Sequence, residues 1–238
     1  MIVDAALSVL YVPACAACDA RVARGQPLCA PCASSLVPIG AACPRCAEPL
    51  AGPASTPCAR CRRDPLPLDG IAAPWRYGGE LGRALRRLKF DGRPDVARTL
   101  APLVAPFLAA VARATGADVI VPVSLHWRRR AARGFNQAQL LLDHAGRAAR
   151  LDVPRRAGLL RRVRPTRAQT GLSARERAAN LAGALAAPAR ARRDLVGRTV
   201  LVFDDVVTTG ATMAAAARAL RAAGAAGVHG FAVARAES

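Results

Sequence analysis

Lysine is almost absent from this chain. Of its 35 basic residues only Lys89 is a lysine, and the rest are arginine. A Walker A loop needs Gly-Lys-Ser/Thr, so that nucleotide site is excluded. No G-x-G-x-x-G occurs, which removes the dinucleotide fingerprint. No apolar run is expected to have the length of a transmembrane helix. Met1–Val12 is apolar but carries Asp4 and lacks a basic n-region. It makes a poor signal peptide and reads as a short packed or interfacial helix. The expected location is the cytoplasm, with peripheral attachment at the inner face of the membrane left open. Cysteine is missing after Cys61, so whatever thiol chemistry the chain has is confined to its first quarter.

What is present is apolar and very basic. The 238 residues are 53% hydrophobic, much of it alanine, with a formal charge of +19. That length allows one large domain or two unequal ones. A field this positive suits nucleic acid, phosphorylated ligands or an anionic membrane surface. The same excess of arginine and alanine also follows from GC-rich coding, so charge alone does not name a partner.

The eight cysteines form four C-x2-C pairs, Cys15/Cys18, Cys29/Cys32, Cys43/Cys46 and Cys58/Cys61, separated by ten, ten and eleven residues. Disulfides do not persist in a reducing cytoplasm. Two knuckles supply four thiolates, which satisfy one tetrahedral Zn²⁺, so four knuckles make two structural sites with no open position for catalysis. Sequential pairing is the simplest arrangement, and interleaved pairing stays open. A redox C-x-x-C or an iron–sulfur cluster would use the same residue type. Even spacing without a thioredoxin-like context favours zinc. The segment is short and rich in Pro, Gly and Ala, so it needs metal to fold. Two tetrathiolate sites, each formally −2, bring the net charge to about +15.

Thr199–Met213, TVLVFDDVVTTGATM, is the most informative stretch. Val200, Leu201, Val202 and Phe203 predict a strand buried on both faces. Asp204 and Asp205 close it, a small polar loop follows, and an Ala-rich helix starts at about Ala211. Ligands of open α/β sheets bind at the carboxyl ends of strands. Backbone N–H groups of the loop and helix start can surround a phosphate. Gly210 permits close approach, and threonine hydroxyls donate to phosphate oxygens. Two carboxylates accept from vicinal ribose hydroxyls. The pattern describes a site for a sugar 5-phosphate.

Elsewhere, Arg62–Pro74 reads as a linker between regions 1–66 and 67–238. Trp75–Tyr77 predicts a short strand and Glu80–Phe90 an amphipathic helix. Asp95–Ala114 predicts a helix interrupted or bent at Pro102 and Pro106. Asp118–Val123 is the next buried strand, leading into a basic run and a helix to about Arg150. Leu159–Arg164 is a further strand. Pro165–Leu172 is a candidate lid, and Ser173-x-x-Glu176 a capping box opening a helix to about Leu185. Val228–Ala234 is the last strand. Alternating strands and helices predict a doubly wound, mainly parallel α/β sheet behind a small Cys-rich region.

The Thr199–Met213 segment resembles the phosphoribosyl pyrophosphate (PRPP) motif of type I phosphoribosyltransferases. Nearly the whole chain resembles the ComF family. The matching pieces are the four cysteine pairs, Leu88-Lys89-Phe90-Asp91-Gly92-Arg93, VPVSLHWRRRAARGFNQAQLL, RPTRAQTGLSARERAANLAGAL and VLVFDDVVTTGATM. Ser124 stands where the family often has a second proline. The resemblance implies a double zinc ribbon joined to a type I phosphoribosyltransferase fold. It implies that Asp204 and Asp205 are the catalytic pair on the ribose hydroxyls of PRPP. It gives Val207, Thr208, Thr209, Gly210, Ala211 and Thr212 as the 5-phosphate cup. Ser124, Leu125, His126 and Trp127 take the place of the pyrophosphate loop, supported by Arg128, Arg133 and Lys89. Mg²⁺ would be held by pyrophosphate and ribose oxygens. For members from competent bacteria it implies a role in natural transformation. There, single-stranded DNA enters the cytoplasm beside a ComFA-like helicase/ATPase and a membrane DNA channel. Members from non-competent bacteria are linked to other processes. Three expectations therefore stand together: a PRPP site within a DNA-handling protein, an active transferase on an unidentified acceptor, and a zinc-ribbon nucleic-acid binder with a non-catalytic sheet. No base-binding pattern names an acceptor.

Overall fold

Short apolar runs separated by amphipathic stretches of helical length produce a parallel sheet clothed on both faces. The computed structural model describes residues 13–52, 56–125, 131, 133–166, 176 and 180–237. In chain order its helices are α1 (Ala30–Ser34), α2 (Ala59–Arg63), α3 (Gly79–Phe90), α4 (Asp95–Ala114), α5 (Gln137–Ala148) and α6 (Ala211–Ala222). Its strands are β1 (Gly70–Ala72), β2 (Trp75–Arg76), β3 (Val119–Pro122), β4 (Arg161–Arg162), β5 (Leu185–Ala186), β6 (Thr199–Val207) and β7 (Gly227–Arg235).

The sheet runs β1-β7-β6-β3, with β2 following β1 along β7. All these pairings are parallel, with Ile120 opposite Leu201, Phe203 opposite Phe231 and Val207 opposite Arg235. Ile120, Leu201, Phe203 and Phe231 point to the face covered by α3, α4 and α5. Val121, Val200, Val202, Val228 and Ala232 point to the face covered by α6. Burial on both sides is why β6 reads as an unbroken apolar run rather than an alternating one. The predicted doubly wound fold is the observed one.

Four details differ from the expectations. First, β6 does not stop at Phe203 but continues through the two aspartates to Val207. Second, α4 is one continuous helix despite Pro102 and Pro106. Both prolines lie on its exposed side, while Leu100, Val104 and Leu108 are buried. Third, part of the expected linker is structure. Leu68 and Ile71 are buried, and Gly70–Ala72 is β1. Fourth, Leu185 is not the end of a helix; it lies in β5, antiparallel to β4. The lid residues from 167 on, Ser173 and Met1–Val12 lie outside the described residues.

By length and composition alone α4 is long and apolar enough to cross a membrane, which corrects the expectation that no such run exists. Its apolar stripe is taken up by α5 and the sheet.

The Cys-rich region is built twice from one plan. An antiparallel bridge closes each first knuckle, Ala14 with Arg21 and Ala42 with Pro49. A five-residue helix follows the third cysteine of each set, α1 after Cys29 and α2 after Cys58.

Candidate functional site

β6 delivers Asp204 and Asp205 to the carboxyl end of the sheet. Asp205 is 2% exposed, whereas Asp204 is half-buried. The Asp205 N–H donates to Asp204 Oδ1 at 2.9 Å. Lys89, the next-to-last residue of α3, places Nζ 2.6 Å from Asp205 Oδ2. Burial works against the Lys89 charge, but Asp205 and, farther off, Asp204 hold its ammonium above the ordinary lysine value. Among the described residues Asp204 makes no such ion pair. Burial first, then the neighbouring Asp205 charge, pushes its carboxyl well above the ordinary range, and Lys89 opposes this only in part. The site thus holds two carboxylates of unequal character, one ion-paired and one reluctant to ionise.

The loop after β6 turns at Gly210, which has φ +79 and is the N-cap of α6. That left-handed conformation is what demands glycine here. Thr209 is buried, and its Oγ1 accepts from Ala211 N at 3.4 Å. The N-cap Gly210 has no side chain to cap α6, and the dipole of a helix start favours an anion there. Val207 is buried, and Thr208, Ala211 and Thr212 are partly exposed around the turn.

β3 pairs beside β6 and ends at Pro122, opposite Phe203, which sets Ser124 and Leu125 next to the acidic pair's strand. Ser124 Oγ donates to Leu160 O at 2.5 Å, and Arg162 Nε donates to Ser124 O at 3.1 Å. Asn136 is buried, caps α5 by accepting from Ala138 N at 3.1 Å, and donates to Val123 O at 3.0 Å. Arg133 donates to Gln137 Oε1 at 2.7 Å and lies 5.3 Å over the Phe90 ring. Arg133 therefore reaches the end of α3 that carries Lys89. His126, Trp127 and Arg128 lie outside the described residues. Lys89, expected as a support of the pyrophosphate loop, is engaged with Asp205. Asn136 and Arg162 were not expected at the site. Asn136 had a readable signal, an Asn before an apolar helical period, whereas Arg162 had none among so many arginines.

The thiols of Cys15, Cys18, Cys29 and Cys32 lie within 4.8 Å of one another, and so do those of Cys43, Cys46, Cys58 and Cys61. The pairing is sequential. Backbone N–H donors hold the Cys15 and Cys43 thiols down at about 7 although burial opposes them. Four thiols within reach of one another suit tetrahedral Zn²⁺.

Two family models match the chain: a double zinc ribbon domain over residues 6–62 and a phosphoribosyl transferase domain over residues 139–237. DNA utilization protein YhgH of Salmonella typhimurium is 37% identical over 205 residues, covering 85% of this chain and 87% of that protein. YhgH of Escherichia coli K12 is 34% identical over 226 residues, covering 93% and 96%. The chain belongs to the ComF/YhgH family. Competence protein F of Haemophilus influenzae, 32% identical over 182 residues, covers 75% of this chain and 78% of its own. As a family member the protein is a competence-related, phosphoribosyltransferase-like chain with two four-cysteine groups that fit structural zinc.

Within this family frame Lys89 has a measurable duty. Lys89→Met leaves Asp205, whose side chain is 3% exposed, without its cation. Breaking a buried pair from one side costs about 3 kcal/mol. Urea denaturation of zinc-loaded protein should show a loss of that order; a change below about 0.5 kcal/mol, the scale of exposed pairs, would mean the ion pair is solvated.

Proposed function

We propose that the protein binds PRPP with Mg²⁺ at the carboxyl ends of β6 and β3, in a protein that handles single-stranded DNA in the cytoplasm during DNA uptake. The observation that carries this reading is the continuous run of β6 into Asp204 and Asp205, followed by the Gly210 turn and the start of α6, with Lys89 fixing Asp205. The aspartates accept from the ribose 2- and 3-hydroxyls. Thr208, Thr209 and Thr212, with the backbone around Gly210, take the 5-phosphate. Ser124 and Leu125, backed by Arg133, face the pyrophosphate. Mg²⁺, bound through the ligand's own oxygens, would neutralise pyrophosphate charge. If transfer occurs, displacement at the anomeric carbon needs a shielded, positioned ligand and little covalent help from the protein. The relatives named for DNA utilization and competence, with the +19 charge, support the DNA role.

Calorimetric titration of PRPP and Mg²⁺ into zinc-loaded protein tests the reading, and saturable binding is expected. Absence of binding to folded protein would leave the zinc-ribbon nucleic-acid binder with a non-catalytic sheet as the better account. Pyrophosphate release with a panel of acceptors would identify an active transferase. Single-stranded DNA is expected to bind with a steep salt dependence; no binding at low salt would make the arginine excess compositional.

A further inference from the structure

The two ribbons touch the sheet region in different places. The first meets α3. Arg87 donates to Ala16 O at 3.1 Å, and Asp19 pairs with Arg87 and Arg93. These contacts brace the helix that carries Lys89.

The second ribbon goes elsewhere. Arg45 donates to Leu66 O at 3.0 Å and to Asp69 O at 3.2 Å. Ala47 is 1% exposed and joins the core beneath α6. Gly70 lies so close to the ribbon that a Cβ there would be 2.7 Å from Pro44 O. Glu48 forms an ion pair with Arg235 Nη2.

Two of these contacts, through Leu66 and through Arg235, border the loop after β6. Leu66, held by Arg45, lies on Gly210, where a Cβ would be 2.9 Å from Leu66 Cδ1. Arg235 stands opposite Val207, the residue before Thr208, and Ala236 N donates to Val207 O at 2.8 Å. Arg235 is also 1% exposed, and its Nε and Nη1 make no hydrogen bond among the described residues. A buried guanidinium with one carboxylate as its counter-charge is a costly device if packing were the whole purpose. At this position it ties the strand beside the loop to the ribbon.

We infer that Glu48 and Arg235 are positioning residues for the 5-phosphate loop: through them, and through the Arg45–Leu66 contact, the second zinc ribbon holds Thr208–Thr212 in its anion-receiving shape. This rests on the phosphate-site reading above. The first ribbon, by the same geometry, serves the Lys89 side.

The test uses full-length, zinc-loaded Glu48→Gln and, because that variant strands a buried charge, the double variant Glu48→Gln/Arg235→Met, which removes both charges. Hydrogen exchange of the Thr208–Thr212 amides in ligand-free protein is the first readout, since local opening reports local stability. Loss of a charge-assisted contact should speed that exchange by at least about tenfold, in both variants, with α3 amides and zinc content unchanged. Affinity for ribose 5-phosphate should fall by a similar factor while affinity for inorganic pyrophosphate holds. Unchanged loop exchange in both variants overturns the inference. So does faster exchange spread evenly over the sheet, which marks general destabilisation. If the wild type takes up no ribose 5-phosphate, the phosphate-site reading falls, and the exchange data still decide the coupling.

Discussion

Stripping zinc is expected to unfold the Cys-rich region and to loosen the sheet behind it. The second ribbon has only a small core of its own. Its buried cluster is Cys43, Cys46 and Cys61, with Cys58, Leu50 and Leu66 against them. Helices α1 and α2 have five residues each, too few to persist alone. Binding of structural zinc contributes on the order of 10 kcal/mol to folding such sites. Cys15, Ala16, Ala17, Leu28 and Cys32 pack into the same core as Leu81, Leu85 and Leu88 of α3. Losing the first ribbon therefore uncovers the inner face of the Lys89 helix. Chelation followed by circular dichroism and a colorimetric zinc assay should show two zinc ions released per chain, a lost near-ultraviolet signal and a lowered Tm. A single zinc per chain, bound iron with visible absorbance, or an unchanged Tm in metal-free protein would overturn the paired-ribbon account.

Much of this architecture is legible in the residues because the relevant signals are local. Val200–Phe203 announces a strand covered on both faces, and four evenly spaced knuckles announce two metal sites. Other features depend on contacts between distant positions. Leu68 and Ile71 sit among prolines and charges, so they read as linker, yet β7 offers a free edge and α6 an apolar face. Pro102 and Pro106 read as breaks because a helix interior normally rejects them. Only the fold reveals that both face water. The pairing of Lys89 with Asp205 joins residues far apart in the chain, as does that of Glu48 with Arg235. With 35 basic residues, no charge pattern singles out Arg235.

Replacing Asp204 and Asp205 by asparagine should abolish ribose-phosphate binding while the fold survives. A carboxylate accepts from two hydroxyls at once, whereas an amide puts two donors on one side of the same outline. Two lost charge-assisted hydrogen bonds amount to about 3 kcal/mol or more, over a hundredfold in affinity. Stability should move differently at the two positions. The Asp204 carboxyl is raised above its ordinary 3.8 by burial and by Asp205. Its folded form keeps a proton that the unfolded form releases. Its stabilising effect is therefore full below 3.8 and is lost as pH rises through the folded value. Asp204→Asn removes that slope, and at neutral pH it should raise Tm. Asp205→Asn instead strands Lys89, whose raised pKa depends on Asp205, and should lower Tm. The same linkage governs binding. Ribose hydroxyls and a Mg²⁺-bearing ligand favour the ionised pair, so complex formation should release a proton and tighten as pH rises above the ordinary carboxylate value. Calorimetry in buffers of different ionisation enthalpy reads that proton directly. A double variant that binds PRPP within about threefold of wild type, well short of the loss those two bonds predict, would remove the aspartates from the site.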